Sequence, residues 1–408
     1  MREAKSIMSK SSDMVYKTLV VGVIILLICI STNPSIATEN IKKSSTQISN
    51  GNTLYVGGVG PNNYTKIQDA IYDSTDGDTV FVYDDGSPYY ENIEVDKSIN
   101  LIGENRDTTI IDGSGFGDVV FILSDWINMS GFTIRNSGDE LYDAGINISS
   151  NSNIIIGNIF SENEWGIILY ECDSNIITSN IIISNYWGIK ILKSYINTII
   201  FNHIILNDYS GIDIDYSNNN IISKNNISLN EHYGICLVCS NSNNITSNII
   251  NNNGYWGDMV WSGGGIDIDT SNENILSDNN ISKNCLFGMF ISNSSRNNIN
   301  DNTISSSEIW GIQIEFFSDN NIIVSNSISK TYLCLQLVDS NNNIISKNNF
   351  LKKGNRVSFS NCTNTWKENY WNRPRILPKL IFGFGSGSSW WIPHFNIDWH
   401  PAKEPYEI

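Results

Sequence analysis

The chain has 408 residues, a formal charge of −17 and only 16% charged side chains. A chain this acidic repels phosphate-rich partners, so neither nucleic acid nor an anionic membrane is an expected ligand. The length admits two or three ordinary domains, but one elongated repeat domain absorbs it equally well.

The N-terminus carries Arg2, Lys5, Lys10 and Lys17, then an uncharged apolar run from Thr18 to Ile30, then Ser35-Ile36-Ala37. Basic residues, a short apolar core and small residues before a cleavage point form a secretory signal, so residues 1–37 are expected to be removed, with 38–52 as a linker. The alternative is a retained anchor, but a spanning helix needs about 20 apolar residues. Cleavage moves the formal charge from −17 to about −19. No second apolar run of spanning length follows, so no membrane span is expected after cleavage. The protein is expected to be secreted, at the cell surface or in a periplasm-like compartment. Six cysteines remain beyond the signal: Cys172, Cys236, Cys239, Cys285, Cys334 and Cys362. Export permits disulfides, but these cysteines are scattered and their pairing stays open. Cys236 and Cys239 have the spacing of a redox or zinc pair, yet in a strand they point to opposite faces. Sequons at Asn63, Asn128, Asn147, Asn226, Asn244, Asn280, Asn293 and Asn361 suit a glycoprotein, although an Asn- and Ser-rich repeat makes such triplets by chance.

Residues 53–136 read as an N-terminal cap and first coils. Thr65-Lys66-Ile67-Gln68 has capping-box spacing, and Ile67, Ala70 and Ile71 mark one apolar face of a short helix. Laid over the first coil, that helix covers open strand edges. Residues 137–365 form the regular array. Glycines before an alternating apolar pair recur at Gly145, Gly166, Gly188, Gly211, Gly234, Gly265, Gly288 and Gly311, with Cys334 in the last slot. The spacing is 21 to 23 residues, except for 31 between Gly234 and Gly265. Each repeat holds three short β-branched strands with turns too short for a crossover helix. Stacked coils pair each strand in parallel with its counterpart and bury the Ile column. The expected fold is therefore all-β: a single-stranded right-handed parallel β-helix, three short strands per coil, with a short capping helix.

The recurrent Asn residues are expected to bond along the stack and to take the left-handed backbone at the corners. Trp165, Trp187, Tyr233, Phe287 and Trp310 precede the repeat glycines and form a ladder along one edge. Outside the coil it offers stacking surfaces for sugar rings; inside, it is packing. Residues 366–408 change composition to Trp, Pro, Gly and Ser and read as an aromatic C-terminal cap.

Thr109-Ile110-Ile111-Asp112-Gly113, Ser130-Gly131-Phe132-Thr133-Ile134-Arg135-Asn136 and the Gly-Ile-x-Ile units resemble the NosD-type β-helix proteins over about Thr53 to Asn364. The resemblance implies an exported right-handed β-helix of the group that binds or processes carbohydrate. The name-giving members of that family are periplasmic accessory proteins for copper loading of nitrous oxide reductase. Ile67-Gln68-Asp69-Ala70-Ile71 and Tyr90-Glu91-Asn92-Ile93 are also similar to the start of pectin methylesterases. No site follows from either likeness. Copper wants clustered His, Met or Cys ligands, and the chain beyond the signal has only His203, His232, His394 and His400. The Asp and Gln motifs of the esterases are absent, Asn372-Arg373-Pro374-Arg375 being the nearest echo of their Gly-Arg-Pro-Trp element. The Gly-His-Gly and Arg-x-Lys signatures of β-helix polygalacturonases are absent too.

Two functions stay open. One is a non-catalytic exported scaffold that binds a polysaccharide, a surface glycan or another surface partner. The other is a carbohydrate-active hydrolase or lyase with an acidic site on the outer face of the first strand column, and a NosD-like accessory role stands behind both. Asp213, Asp215, Asp267 and Asp269 occupy the alternate positions of Gly-Ile-Asp-Ile-Asp in two repeats and point outward. One coil lies between them, so equivalent carboxyls are about 9–10 Å apart. They are the catalytic candidates, with His232. Trp256, Asp258 and Trp261 of the inserted loop are the ligand-binding candidates, since insertions map to the working face of a solenoid. No metal site and no cofactor is expected, calcium among the carboxylates being left open. The oligomeric state is not legible.

Overall fold

A computed structural model describes residues 51–256, 261–351, 357–384 and 393–408. The expected signal segment, most of the linker and Asp258 lie outside the described residues, as do the side chains of Trp256 and Trp261.

Gly-Ile-x-Ile repeats with tight corners leave the chain one way to bury its isoleucines: it coils. Three parallel sheets run the length of the coil. Sheet 1 has 14 strands, from Thr53–Val56 to Thr365–Lys367; sheet 2 has 14, from Ile93–Val95 to Pro393–Asp398; sheet 3 has 12, from Tyr89–Tyr90 to Asn349–Leu351. Each strand pairs with its counterpart one coil on, so the fold is a right-handed parallel β-helix of about 14 turns. Its interior is one continuous column in which Ile167, Ile189, Ile212, Ile235, Ile266 and Ile312 are fully buried.

Three files of Asn and one of Ser hold the corners. Asn153, Asn175, Asn197, Asn220, Asn243, Asn274, Asn297, Asn321 and Asn343 each donate a backbone N–H to the side-chain oxygen of the next Asn, the last to Asn364, at 2.8–2.9 Å. Most of these amides also donate back to a carbonyl of an earlier coil, as Asn197 does to Cys172 O at 3.0 Å. Buried backbone polar groups that a tight corner would orphan are satisfied in this way. The left-handed backbone, however, does not fall on the ladder Asn. It falls one residue earlier, on Ser174 before Asn175, Ser179 before Asn180, and even Ile196 and Phe201 before Asn197 and Asn202. A β-branched residue resists that conformation, so the ladder on its C-terminal side imposes it.

The helix α1 (Ile67–Asp73) covers the first coil with Ile67, Ala70 and Ile71 buried. Its capping departs from the expected box: the N-cap is Lys66, with no side-chain bond of its own. The Glu91 carboxylate, from the coil below, accepts the N–H groups of Ile67 and Gln68 at 2.9 and 3.0 Å. A tertiary carboxylate thus does the work that Thr65 was expected to do. At the other end, Lys379–Phe384 and Pro393–Asp398 form an antiparallel hairpin that continues sheet 2. Asp398, fully buried, terminates the second Asn file by accepting from Glu368 N, Asn369 N and Trp371 Nε1, each at 3.0 Å.

Candidate functional site

The outer face of sheet 2 departs from a plain solvated surface. Register places Lys190, Asp213, Cys236, Asp267 and Phe290 in one outward column, one residue per coil. Leu192, Asp215, Val238, Asp269 and Ser292 form the column beside it. The two Gly-Ile-Asp-Ile-Asp strands are therefore aligned across the Cys236 coil, and two stacking steps set Asp213 and Asp267 about 10 Å apart.

These positions point outward, yet they are covered: Asp213 is 7% exposed and Lys190 8%. The cover is aromatic. Trp165 and Trp187 stack at 4.6 Å with planes 12° apart, and Trp187 meets Tyr209 at 3.9 Å. Tyr209 stacks on His232 at 4.3 Å, His232 abuts Tyr233 at 3.9 Å, and Tyr233 reaches Phe287 at 6.0 Å. The ladder thus lies outside the coil, where Trp165 and Ile168 make a small cluster separate from the main core. The rings lean over the outward columns and bury one another, which combines the two alternatives of the sequence reading. Ser210 and Gly264 interrupt the inner line of rings at the coils of Asp213 and Asp267. Gly264 has no room for a side chain, because a Cβ there would lie 2.5 Å from the Phe287 ring.

Burial sets the charge of the column. Asp213 is pushed up to about 7 by loss of solvent, Lys190 opposing and Asp215 adding to the rise. Asp267 is also pushed up to about 7 by burial, with a hydrogen bond from Tyr233 opposing. Burial raises the Cys236 thiol between them and lowers His232 to about 4. Lys190 makes its ion pair with Asp215 and lies 5.6 Å over the Trp165 ring. Asp267 Oδ1 and His232 Nδ1 are buried without a hydrogen-bond partner, unsatisfied polar atoms of a kind that is uncommon in a folded chain. Chemically the face offers two proton-bearing carboxyls, one ion pair and several ring faces.

The structure brings Asp213, Asp215, Asp267, Asp269 and His232 to one face. The inserted loop leaves the same coil through Tyr255–Trp256 and returns through Trp261–Ser262, paired antiparallel. Gly263 then passes so close to His232 that a Cβ would lie 2.2 Å from its carbonyl oxygen. Sequence reasoning missed Lys190, Tyr209 and the role of Tyr233. Lys190 was visible in principle, because Gly188-Ile189-Lys190-Ile191 puts it in the slot of Asp213. A depression of about 340 Å³ lined by Asn252, Gly254, Lys283, Cys285 and Glu308 lies on the turn before the ring line, not over the carboxyl column.

Among the described residues no group of three or more His, Cys, Asp or Glu is placed to hold a metal ion. His203 lies on sheet 3, no disulfide joins the six cysteines among the described residues, and Cys236 lies between two aspartates. Softer ligands in a cluster are what copper selects.

Coil and ladders together define a right-handed parallel β-helix protein. The chain matches the family described as periplasmic copper-binding protein (NosD) over residues 72–259 and 257–383, and it belongs to that family. No curated protein matches it. Among solved structures it is similar to the Dettilon tailspike protein, at 13% identity over 81% of this chain and 73% of that one, with a TM-score of 0.57. It is also similar to a lacto-N-biosidase from Eubacterium ramulus, at 11% identity over 69% of this chain and 65% of that one, with a TM-score of 0.52. At such identities these likenesses speak for the fold alone.

Proposed function

We propose that this chain is an exported, non-catalytic β-helix scaffold that binds polysaccharide on the outer face of sheet 2. The observation that carries this reading is the run of half-buried rings Trp187, Tyr209, His232 and Tyr233 beside the Lys190, Asp213, Asp215, Asp267 and Asp269 side chains. Sugar rings present apolar C–H faces that stack on aromatic surfaces. Their hydroxyls pair with carboxyls and ammonium groups. The family description supports the periplasm, or an equivalent space outside the cytoplasm, as the compartment. The copper in that description gains no support from the described residues. The test is a glycan array probed with residues 38–408, with and without calcium. Binding to at least one glycan is expected, weakened about tenfold or more by Tyr209→Ala or His232→Ala. Absence of binding, or binding that both variants leave intact, overturns the proposal.

A second reading has one specific observation in its favour. Asp213 and Asp267 both hold their protons to about 7, as a general acid must. Inverting glycosidases separate their two carboxyls by about 6.5–9.5 Å to admit a water, and the spacing here is just beyond that range. Release of new reducing ends from an array ligand, abolished by Asp213→Asn or Asp267→Asn with binding retained, would establish turnover. Binding without release leaves the scaffold reading in place.

A further inference from the structure

The N-terminal end of the coil is acidic, and one segment at the C-terminal end is basic. From residue 51 to residue 107 there are eleven acidic and three basic residues. Two of those three cations are already engaged: Lys97 Nζ donates to the carbonyls of Ile71 and Tyr72 at 2.8 and 2.6 Å, and Arg106 lies 3.7 Å from Asp107. The solvent side of α1 shows Asp69, Asp73 and, just beyond the helix, Asp76, all exposed, around a Tyr72 ring that is 62% exposed. Because the opposite face of α1 seals the first coil, this acidic, aromatic patch faces outward from the N-terminal end.

Beyond the last full coil the segment Asn372-Arg373-Pro374-Arg375-Ile376-Leu377-Pro378-Lys379 holds three cations and no acid. Arg375 Nε is buried without a hydrogen-bond partner. Lys379 lies 5.5 Å over the Trp371 ring, and the charges that act on it are those of Arg375 and Arg373, both repulsive. Between the cations Ile376 and Leu377 stand 91% and 76% exposed. Two adjacent aliphatic side chains bare to water, ringed by like charges with no counter-ion among the described residues, are unfavourable in a lone molecule and favourable against an anionic surface that also offers an apolar ring.

We infer that the occupant of this end is the N-terminal cap of a second copy of the chain, so that copies join head to tail. Ile376 and Leu377 pack on Tyr72, and Arg373, Arg375 and Lys379 face Asp69, Asp73 and Asp76. The charge complementarity is internal to the sequence. About 14 coils at about 4.8 Å each place the two ends some 65 Å apart, well beyond the roughly 8–10 Å over which charges act in ordinary salt. The net negative charge of each copy therefore opposes the contact weakly. The contact is heterologous, and since each copy has one end of each kind it propagates into a row instead of closing as a dimer. The outer faces of sheet 2 stay uncovered in such a row, which repeats the proposed glycan face at every copy.

Charge exchange tests the inference directly. Residues 38–408, which contain the whole compact unit Gly51–Ile408, are followed by sedimentation velocity over a range of concentrations. Oligomers larger than dimers are expected, dissociating as salt is raised. Asp69→Lys with Asp73→Lys, or Arg373→Glu with Arg375→Glu, is each expected to weaken association about tenfold or more, whereas the variant carrying all four changes regains it. Ile376→Ser with Leu377→Ser, which leaves every charge in place, is expected to weaken it as well, with thermal melts confirming that each variant is folded. A protein that stays monomeric, a dimer that does not grow, or association indifferent to the exchanges overturns the inference. Recovery of binding to anionic lipid vesicles without self-association would also overturn it, since the same end would then face a membrane.

Discussion

Replacing Asn225 by Asp keeps the side chain's shape and removes both of its amide donors. In the native ladder Asn225 Nδ2 donates to Ile199 O at 2.9 Å and to Asn248 Oδ1 at 3.0 Å, while Asn225 Oδ1 accepts from Asn202 N at 2.9 Å. In Asn225→Asp the accepting half survives, but a carboxylate oxygen faces two other oxygens at those distances, in a site that is 1% exposed. Two lost bonds and an ionised group without a partner cost about 3–5 kcal/mol together. The introduced carboxyl has its folded-state pKa raised above the unfolded value of about 4, because protonation restores one donor. The penalty is therefore full above the folded pKa and is relieved as pH falls toward about 4. Asp398 is the natural counterpart: an acid ends the second file because there nothing further waits to accept, and donors surround it. Urea unfolding followed by circular dichroism at about pH 7 should show a midpoint lowered by about 1 M or more, with a smaller loss near pH 4.5. A midpoint equal to that of the unchanged protein at pH 7, or a loss that grows on acidification, would refute the reasoning.

Ile214→Asp places a charge in the fully buried inner column and should destabilise by several kcal/mol; an unchanged thermal melt contradicts the inward assignment. The stability of the unchanged protein should fall as pH rises from about 4 through about 7, because Asp213 and Asp267, pushed up to about 7, bind protons that the unfolded chain has already lost. Asp213→Asn should flatten part of that fall in melting temperature, and a pH profile identical to that of the parent would exclude Asp213 as a contributor. Elemental analysis of purified residues 38–408 is expected to find no stoichiometric copper, and one tightly held copper per chain would reverse the reading of the donor set.

The periodic parts of the molecule were legible before any coordinates. A Gly-Ile-x-Ile unit every 21 to 23 residues dictates the inner column, and the two Gly-Ile-Asp-Ile-Asp strands dictate the alignment of Asp213 with Asp267 across Cys236. What periodicity conveys is which face a residue points to, not what lies over it. Asp213 was read as outward; the structure keeps it outward but covers it, with Tyr209 close by. Glu91 as the cap of α1 and Asp398 as the end of an Asn file were likewise hidden, because each acts across 24 to 30 residues of sequence at a place where the repeat is broken. The left-handed corner lies one residue before the ladder Asn, where Asn219, Asn252, Asn320 and Asn342 take it as the residue type suggests, while in other coils the stack forces Ser and even Ile196 into that backbone.

The measurement that bears most directly on the central claim is a crystal structure of residues 38–408 soaked with the strongest ligand from the glycan array. Sugar rings are predicted in van der Waals contact with Tyr209 and His232, with hydroxyls within hydrogen-bond reach of Asp215, Asp267 or Asp269. A glycan seated on sheet 1, on sheet 3 or on the C-terminal hairpin, with the outer face of sheet 2 bare, would contradict the account.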